Sequence, residues 1–69
     1  MVNTELLRET IDNSGISIIF IANKMGVFRE SVYNKLSGTT KFKVSEITSI
    51  SQALNLDDKK RNAIFLNKT

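Results

Sequence analysis

The residues of this 69-residue chain whose side chains are best suited to a functional role are its basic and amide residues, which can form hydrogen bonds and ion pairs with a ligand. The sequence has no cysteine and no histidine, so disulfides and zinc sites built on thiolate or imidazole are excluded. The same absence removes the usual nucleophile–base pairs, and the carboxylates are dispersed without the paired spacing of acid–base catalysis. We therefore expect neither an enzyme nor a cofactor, and the basic residues point to binding instead.

The positive charge is concentrated in the middle third of the chain. The net charge is +3, yet residues 1–23 carry one cation against three acids. Residues 24–43 reach a balance of +4, from one acid, Glu30, and the cations Lys24, Arg29, Lys35, Lys41 and Lys43. Such an excess is typical of a surface that binds an anionic partner, although a cationic segment is also often only a solvated face.

Glycines and polar turns divide the chain into segments of helical length. The first runs from about residue 3 to 13, with Asn3 or Thr4 as cap, and stops at Gly15. Later helices are predicted at about 28 or 29 to 37, 43 to 54, and 58 to 66, the last behind the cap Asp57. The residues expected to face the core from these helices are Leu7, Ile11, Val32, Leu36, Val44, Ile47, Ile50, Leu54, Ile64 and Phe65.

The apolar stretch "ISIIFI" at residues 16–21 is compatible with two structures. Isoleucine and phenylalanine favour a pleated surface, so a strand fits locally. No other segment offers that strand a partner, however, and a lone strand leaves its backbone groups unpaired. Ser17 is a natural helix cap, and the residues after it that recur on one helical face are Ile18, Ile21, Ala22 and Met25. We therefore predict a further helix from Ser17 to Met25.

These segments predict a single all-α domain, a compact five-helix bundle that spans residues 1–69. A chain of this length has no room for a second core. No stretch approaches the roughly 20 apolar residues that a bilayer crossing needs. The amino end is polar and carries acids, unlike a signal peptide. We expect a cytoplasmic protein that makes no membrane contact.

The spacing of Ala22, Gly26 and Val32 predicts a helix-turn-helix. Ala22 is small enough for the next helix to cross close to it, and Gly26 allows a sharp turn with positive φ. In such an arrangement the second helix can project into the major groove of DNA. The apolar residues expected to hold the two helices at a steep angle are Ile21, Met25, Val27, Val32 and Leu36.

Residues 5–56 resemble the lambda-repressor-like family of bacteriophage and bacterial regulators, which includes the Cro proteins. The resemblance is carried by "GISIIFIANKMGV", "RESVYNKLSG" and "FKVSEITSISQALNL". It implies a lambda-repressor-like DNA-binding domain that represses transcription, bound as a homodimer to double-stranded operator DNA near the bacterial nucleoid. Two positions depart from the family: Ile18 replaces a polar phosphate contact, and Phe28 stands where many members have a serine cap.

The resemblance implies base contacts from Arg29, Glu30, Tyr33 and Asn34. The fork of Arg29 matches the two acceptors of guanine, Asn34 can pair with adenine, and Glu30 can accept from cytosine. Glu30 is also compatible with a loose surface pair to Arg29 or Asn34. Lys35 is expected off this face and solvated. Phosphate contacts are expected from Ser17, Asn23, Lys24, Ser37, Thr39, Thr40, Lys41 and Lys43.

Ile19 and Phe20 fall away from the buried face of the second predicted helix. They are expected either to be partly covered by another helix or the chain end, or to form a contact surface. A contact surface on this helix would bind a second protomer or a protein partner. Phe65 and Leu66, near the carboxyl end, are the other candidate residues for dimerisation. The apolar residues Ile19 and Phe20 support an alternative function, a protein-interaction module that modulates another repressor.

Overall fold

The computed structural model describes residues 2–66 and shows five α-helices in that range. They are α1 (Thr4–Ser14), α2 (Ile18–Met25), α3 (Arg29–Leu36), α4 (Val44–Ala53) and α5 (Asp58–Phe65). The described residues contain no strand, so the all-helical prediction is confirmed and the strand alternative for residues 16–21 is wrong. None of these helices is both long enough and apolar enough to cross a membrane.

Local hydrogen bonds define where the helices begin. The side chain of Asn3 accepts from the Leu6 N–H at 3.0 Å, and the Ser17 hydroxyl accepts from the Phe20 N–H at 3.1 Å. Asp57 accepts from the Lys60 N–H at 2.7 Å in the same way. These three predicted caps are confirmed, and each satisfies a backbone donor that the helix itself leaves free.

The core takes one fully buried side chain from every helix. These side chains are Leu7, Ile21, Val32, Ile50 and Ile64. Helix α2 packs against α3 and α4, whereas α1 packs against α3 and α5. Burial of an aliphatic side chain stabilises the folded state by about 1.5–3 kcal/mol. Apolar packing therefore holds together a chain without cysteine.

One backbone hydrogen bond and one aromatic pair connect α5 to the rest of the fold. The Asn3 N–H donates to the Ile64 carbonyl at 2.7 Å, which joins the start of the chain to α5. The rings of Phe42 and Phe65 meet edge to face with centroids 5.5 Å apart. Such aromatic pairs add stabilisation beyond their buried area. The segment before α4 is thus anchored to α5.

The prediction that Val44 belongs to the core is wrong, because its side chain is 82% exposed. The buried face of α4 is centred on Ile50, with Glu46 and Leu54 one turn to either side. At about 100° per residue, Val44 lies roughly 120° around the helix from Ile50 and so points to solvent. The other predicted core positions of α4 are buried or half-buried.

Candidate nucleic-acid interface

A three-residue connection, residues 26–28, joins α2 to α3. Gly26 adopts φ 71°, in the left-handed region that favours glycine. Its N–H donates to the Asn23 carbonyl at 3.2 Å, and the Val27 N–H donates to the Ala22 carbonyl at 3.0 Å. These bonds satisfy carbonyls at the end of α2 and fix where α3 starts.

Helix α3 separates an apolar inner face from a polar outer face. Val32 and Leu36 are buried, as predicted. The outer face carries four exposed side chains with different hydrogen-bonding groups, Arg29, Glu30, Tyr33 and Asn34. All four predicted base-contacting residues are therefore exposed to solvent on one short helix.

Arg29 and Glu30 form a loose surface ion pair. The Arg29 Nε lies 3.8 Å from Glu30 Oε2, and both side chains are more than half exposed. An exposed pair of this kind contributes less than about 1 kcal/mol to stability, because water and salt screen it. Both groups therefore remain available to bind another molecule at little energetic cost.

The loop after α3 is pre-organised around the Asn34 carbonyl. That oxygen accepts from the N–H groups of Thr39 and Thr40, at 2.9 and 3.3 Å, and from the Ser37 hydroxyl at 3.0 Å. The Ser37 and Thr39 hydroxyl oxygens are 2.9 Å apart. The loop therefore presents its hydroxyls, followed by the exposed cations Lys41 and Lys43, in a defined arrangement.

The structure brings only part of the predicted phosphate-contacting set together. All eight residues are exposed, namely Ser17, Asn23, Lys24, Ser37, Thr39, Thr40, Lys41 and Lys43. The last five lie on the loop that follows α3, and Asn23 lines a groove with Arg29 and Glu30. Ser17 caps α2 with its hydroxyl. Lys24 lies with its ammonium 5.4 Å from the centre of the Phe20 ring.

The prediction that Lys35 is solvated is wrong, because its side chain is buried. Its Nζ lies 3.2 Å from Glu46 Oε1 and donates to the Lys41 carbonyl at 3.2 Å. Glu46 also accepts from the Lys43 N–H at 2.8 Å. The long lysine stem crosses the inner face of α3 and delivers its charge to α4. The pair thus ties α3 to both ends of the segment 41–46.

The same contacts set the ionisation of Glu46. Burial by itself raises the pKa of the Glu46 carboxyl, because it disfavours the charged form. The hydrogen bond from the Lys43 N–H lowers the pKa, as do the hydrogen bond and positive charge of Lys35. These lowering effects prevail, so the pKa of Glu46 lies below its usual value and the carboxylate stays charged near neutral pH.

Two residues beside the predicted site were missed by sequence reasoning. Phe28 precedes α3 without a side-chain capping bond, as predicted, but its ring is also 82% exposed. The sequence held no signal of this exposure, since Val32, one helical turn after Phe28, is an apolar residue that is fully buried. Arg8 of α1 lines a groove with Tyr33 and Ser37. No local pattern could place Arg8 there, because the packing of α1 against α3 brings these residues together.

Apolar side chains on α2 are also exposed. Ile19 is 56% and Phe20 is 44% exposed, and the contact over the Phe20 ring comes from Lys24 of the same helix rather than from another helix or the chain end. Among residues 2–66, no group of three or more acidic side chains comes together in a way that could hold a metal ion.

Comparison with protein-family models, curated proteins and solved structures finds no match to this chain.

Proposed function

We propose that this chain is a sequence-specific DNA-binding transcriptional repressor of the phage Cro type, without catalysis or cofactor. In this proposal α2, the turn at Gly26 and α3 form a lambda-repressor-like helix-turn-helix. A homodimer binds double-stranded operator DNA in the cytoplasm of a bacterial host, at the nucleoid. The observation that carries the proposal is the outer face of α3, where four exposed polar side chains stand beside a loop rich in hydroxyls and cations.

The proposed mechanism assigns base reading to the outer face of α3. Arg29 donates two hydrogen bonds to the O6 and N7 of guanine, and Asn34 pairs with the N6 and N7 of adenine. Glu30 accepts from the N4 amino group of cytosine and repels misplaced phosphates, which disfavours wrong sites. Tyr33 contacts sugar or phosphate from the same face.

The proposed phosphate contacts surround this face. Hydroxyl and ammonium groups of the loop after α3 bind phosphate oxygens on one side, and Asn23 and Lys24 of α2 bind on the other. Ser17 already accepts the Phe20 N–H, so its hydroxyl hydrogen remains free to donate. These contacts set the register of α3 on the duplex, whereas the base contacts provide sequence preference.

The test compares two exposed arginines that each lie 3.8 Å from a carboxylate, Arg29 beside Glu30 and Arg61 beside Asp58. Duplexes are first selected from a random pool at about 0.15 M salt, and binding is then measured by fluorescence anisotropy. Arg29→Ala is expected to lose about 5- to 150-fold in specific affinity per half-site, from about 1–3 kcal/mol per base contact. Arg61→Ala removes the same charge and should leave specific binding close to wild type. Equal losses for the two variants, or no enriched sequence, would refute the proposal.

A second candidate function is favoured by the exposed Ile19 and Phe20 on α2. An apolar surface of this kind suits a module that binds another repressor and modulates it. Such a module would enrich no DNA sequence and would bind its partner repressor tightly. Phe20→Ser would weaken that protein complex, whereas Arg29→Ala would leave it unchanged.

A further inference from the structure

Phe28 is the most exposed aromatic side chain in the described part of the chain, and it lies at the start of α3. A serine, threonine or aspartate at this position would cap the helix and stabilise it by about 1 kcal/mol. Phe28 makes no side-chain capping bond and leaves 82% of its surface in water. The residue therefore gives up local stability and gains little burial within this fold.

The surroundings of Phe28 belong to the proposed DNA-binding face. Phe28 lines one groove together with Ile19, Asn23, Arg29 and Glu30. Its neighbour in sequence, Arg29, is the residue proposed to bind guanine. The ring thus lies in a groove that also has apolar lining from α2 and the turn, with Arg29 and Glu30 on one side, in the segment whose charge balance is +4.

The major groove of DNA contains one apolar group that such a ring can recognise, the 5-methyl of thymine. We propose that Phe28 is a specificity-determining residue that packs against a thymine 5-methyl group next to the base pair contacted by Arg29, an inference that rests on the proposed function. The contact discriminates thymine from cytosine at that step, because cytosine has no methyl at this position. It also accounts for an exposed phenylalanine where a capping residue would otherwise stand.

The test replaces thymine by uracil, which lacks the methyl and keeps the same base pairing, one position at a time in a selected duplex. Wild type should lose about fourfold in affinity per half-site at one position, the effect of about 0.8 kcal/mol for one buried methyl group. In Phe28→Ser the thymine and uracil duplexes should bind equally at that position. Val44→Ser removes a side chain of α4 that is likewise 82% exposed and should keep the wild-type discrimination.

The outcomes separate this inference from the proposed function. Specific binding without any uracil-sensitive position, or with sensitivity that persists in Phe28→Ser, would overturn the role of Phe28 and leave the repressor intact. If Phe28→Ser binds too weakly to compare, Phe28→Leu keeps an apolar group and should retain part of the discrimination; its complete loss in Phe28→Leu counts against the contact. Absence of any selected sequence would reject the proposed function itself.

Discussion

The buried pair of Lys35 and Glu46 gives a stability prediction that the structure specifies closely. Lys35→Met removes the ammonium from Glu46 Oε1 and from the Lys41 carbonyl, each 3.2 Å away, and leaves a buried carboxylate without its counter-charge. Removal of one partner from a buried pair costs about 3–5 kcal/mol. The pair lies at the edge of the core and Glu46 keeps the Lys43 N–H, so we expect about 3 kcal/mol.

A loss of this size is large for so small a domain. A folded chain of this length is stable by about 3–10 kcal/mol, and a loss of 1 kcal/mol lowers Tm by about 4–8 °C. Thermal and urea unfolding followed by circular dichroism at pH 7 would therefore show a fall in Tm of about 12–24 °C. Lys35→Met/Glu46→Leu removes both charges and should lie within about 1–2 kcal/mol of wild type, because no unpaired charge remains buried.

The pH dependence provides the decisive control. The pKa of Glu46 is lowered in the folded protein, so its contribution to stability is fully present above its unfolded pKa, about 4.3, and is lost as pH falls through the folded pKa. In Lys35→Met, protonation of the carboxyl removes the buried charge. The loss of Lys35 raises the pKa of this carboxyl, so the difference between wild type and this variant should shrink as pH falls through the acid range in which Glu46 becomes protonated. A difference below 1 kcal/mol at pH 7, or one that stays constant into acid, would refute the reasoning.

Three further predictions concern DNA binding, the turn and the apolar surface. If about four cations per half-site bind phosphate, the slope of log affinity against log salt concentration should be roughly −7 for a dimer. The double variant Lys41→Gln/Lys43→Gln should reduce the magnitude of this slope by about 3.6. An unchanged slope would show that these two lysines do not contact the DNA. Gly26→Ala should lower the free energy of unfolding, measured in urea, by about 1 kcal/mol. The reason is that φ 71° strains an L residue, although no atom lies where the added Cβ would be. Wild-type stability in this variant would contradict the prediction. Phe20→Ser should remain folded, and a changed mass by analytical ultracentrifugation would identify α2 as the dimer contact, whereas an unchanged oligomeric state would exclude it.

The positions of the helices were predictable because short-range interactions define them. Asn3, Ser17 and Asp57 cap helices through bonds to N–H groups three residues away, and Gly26 ends α2 by a backbone conformation that glycine favours. These interactions need only a few neighbouring residues. The apolar spacing of α3 likewise predicted which side of that helix is exposed.

What the sequence by itself determined is therefore the number of helices, the caps of three of them and the polar face of α3. Only the tertiary structure decided that Lys35 turns inward, that Val44 turns outward and that Arg8 joins the groove beside Tyr33. A charge enters the interior only where another element supplies its partner, as Glu46 of α4 does for Lys35. An apolar residue is buried only if some helix lies over it, and that depends on how distant segments pack together.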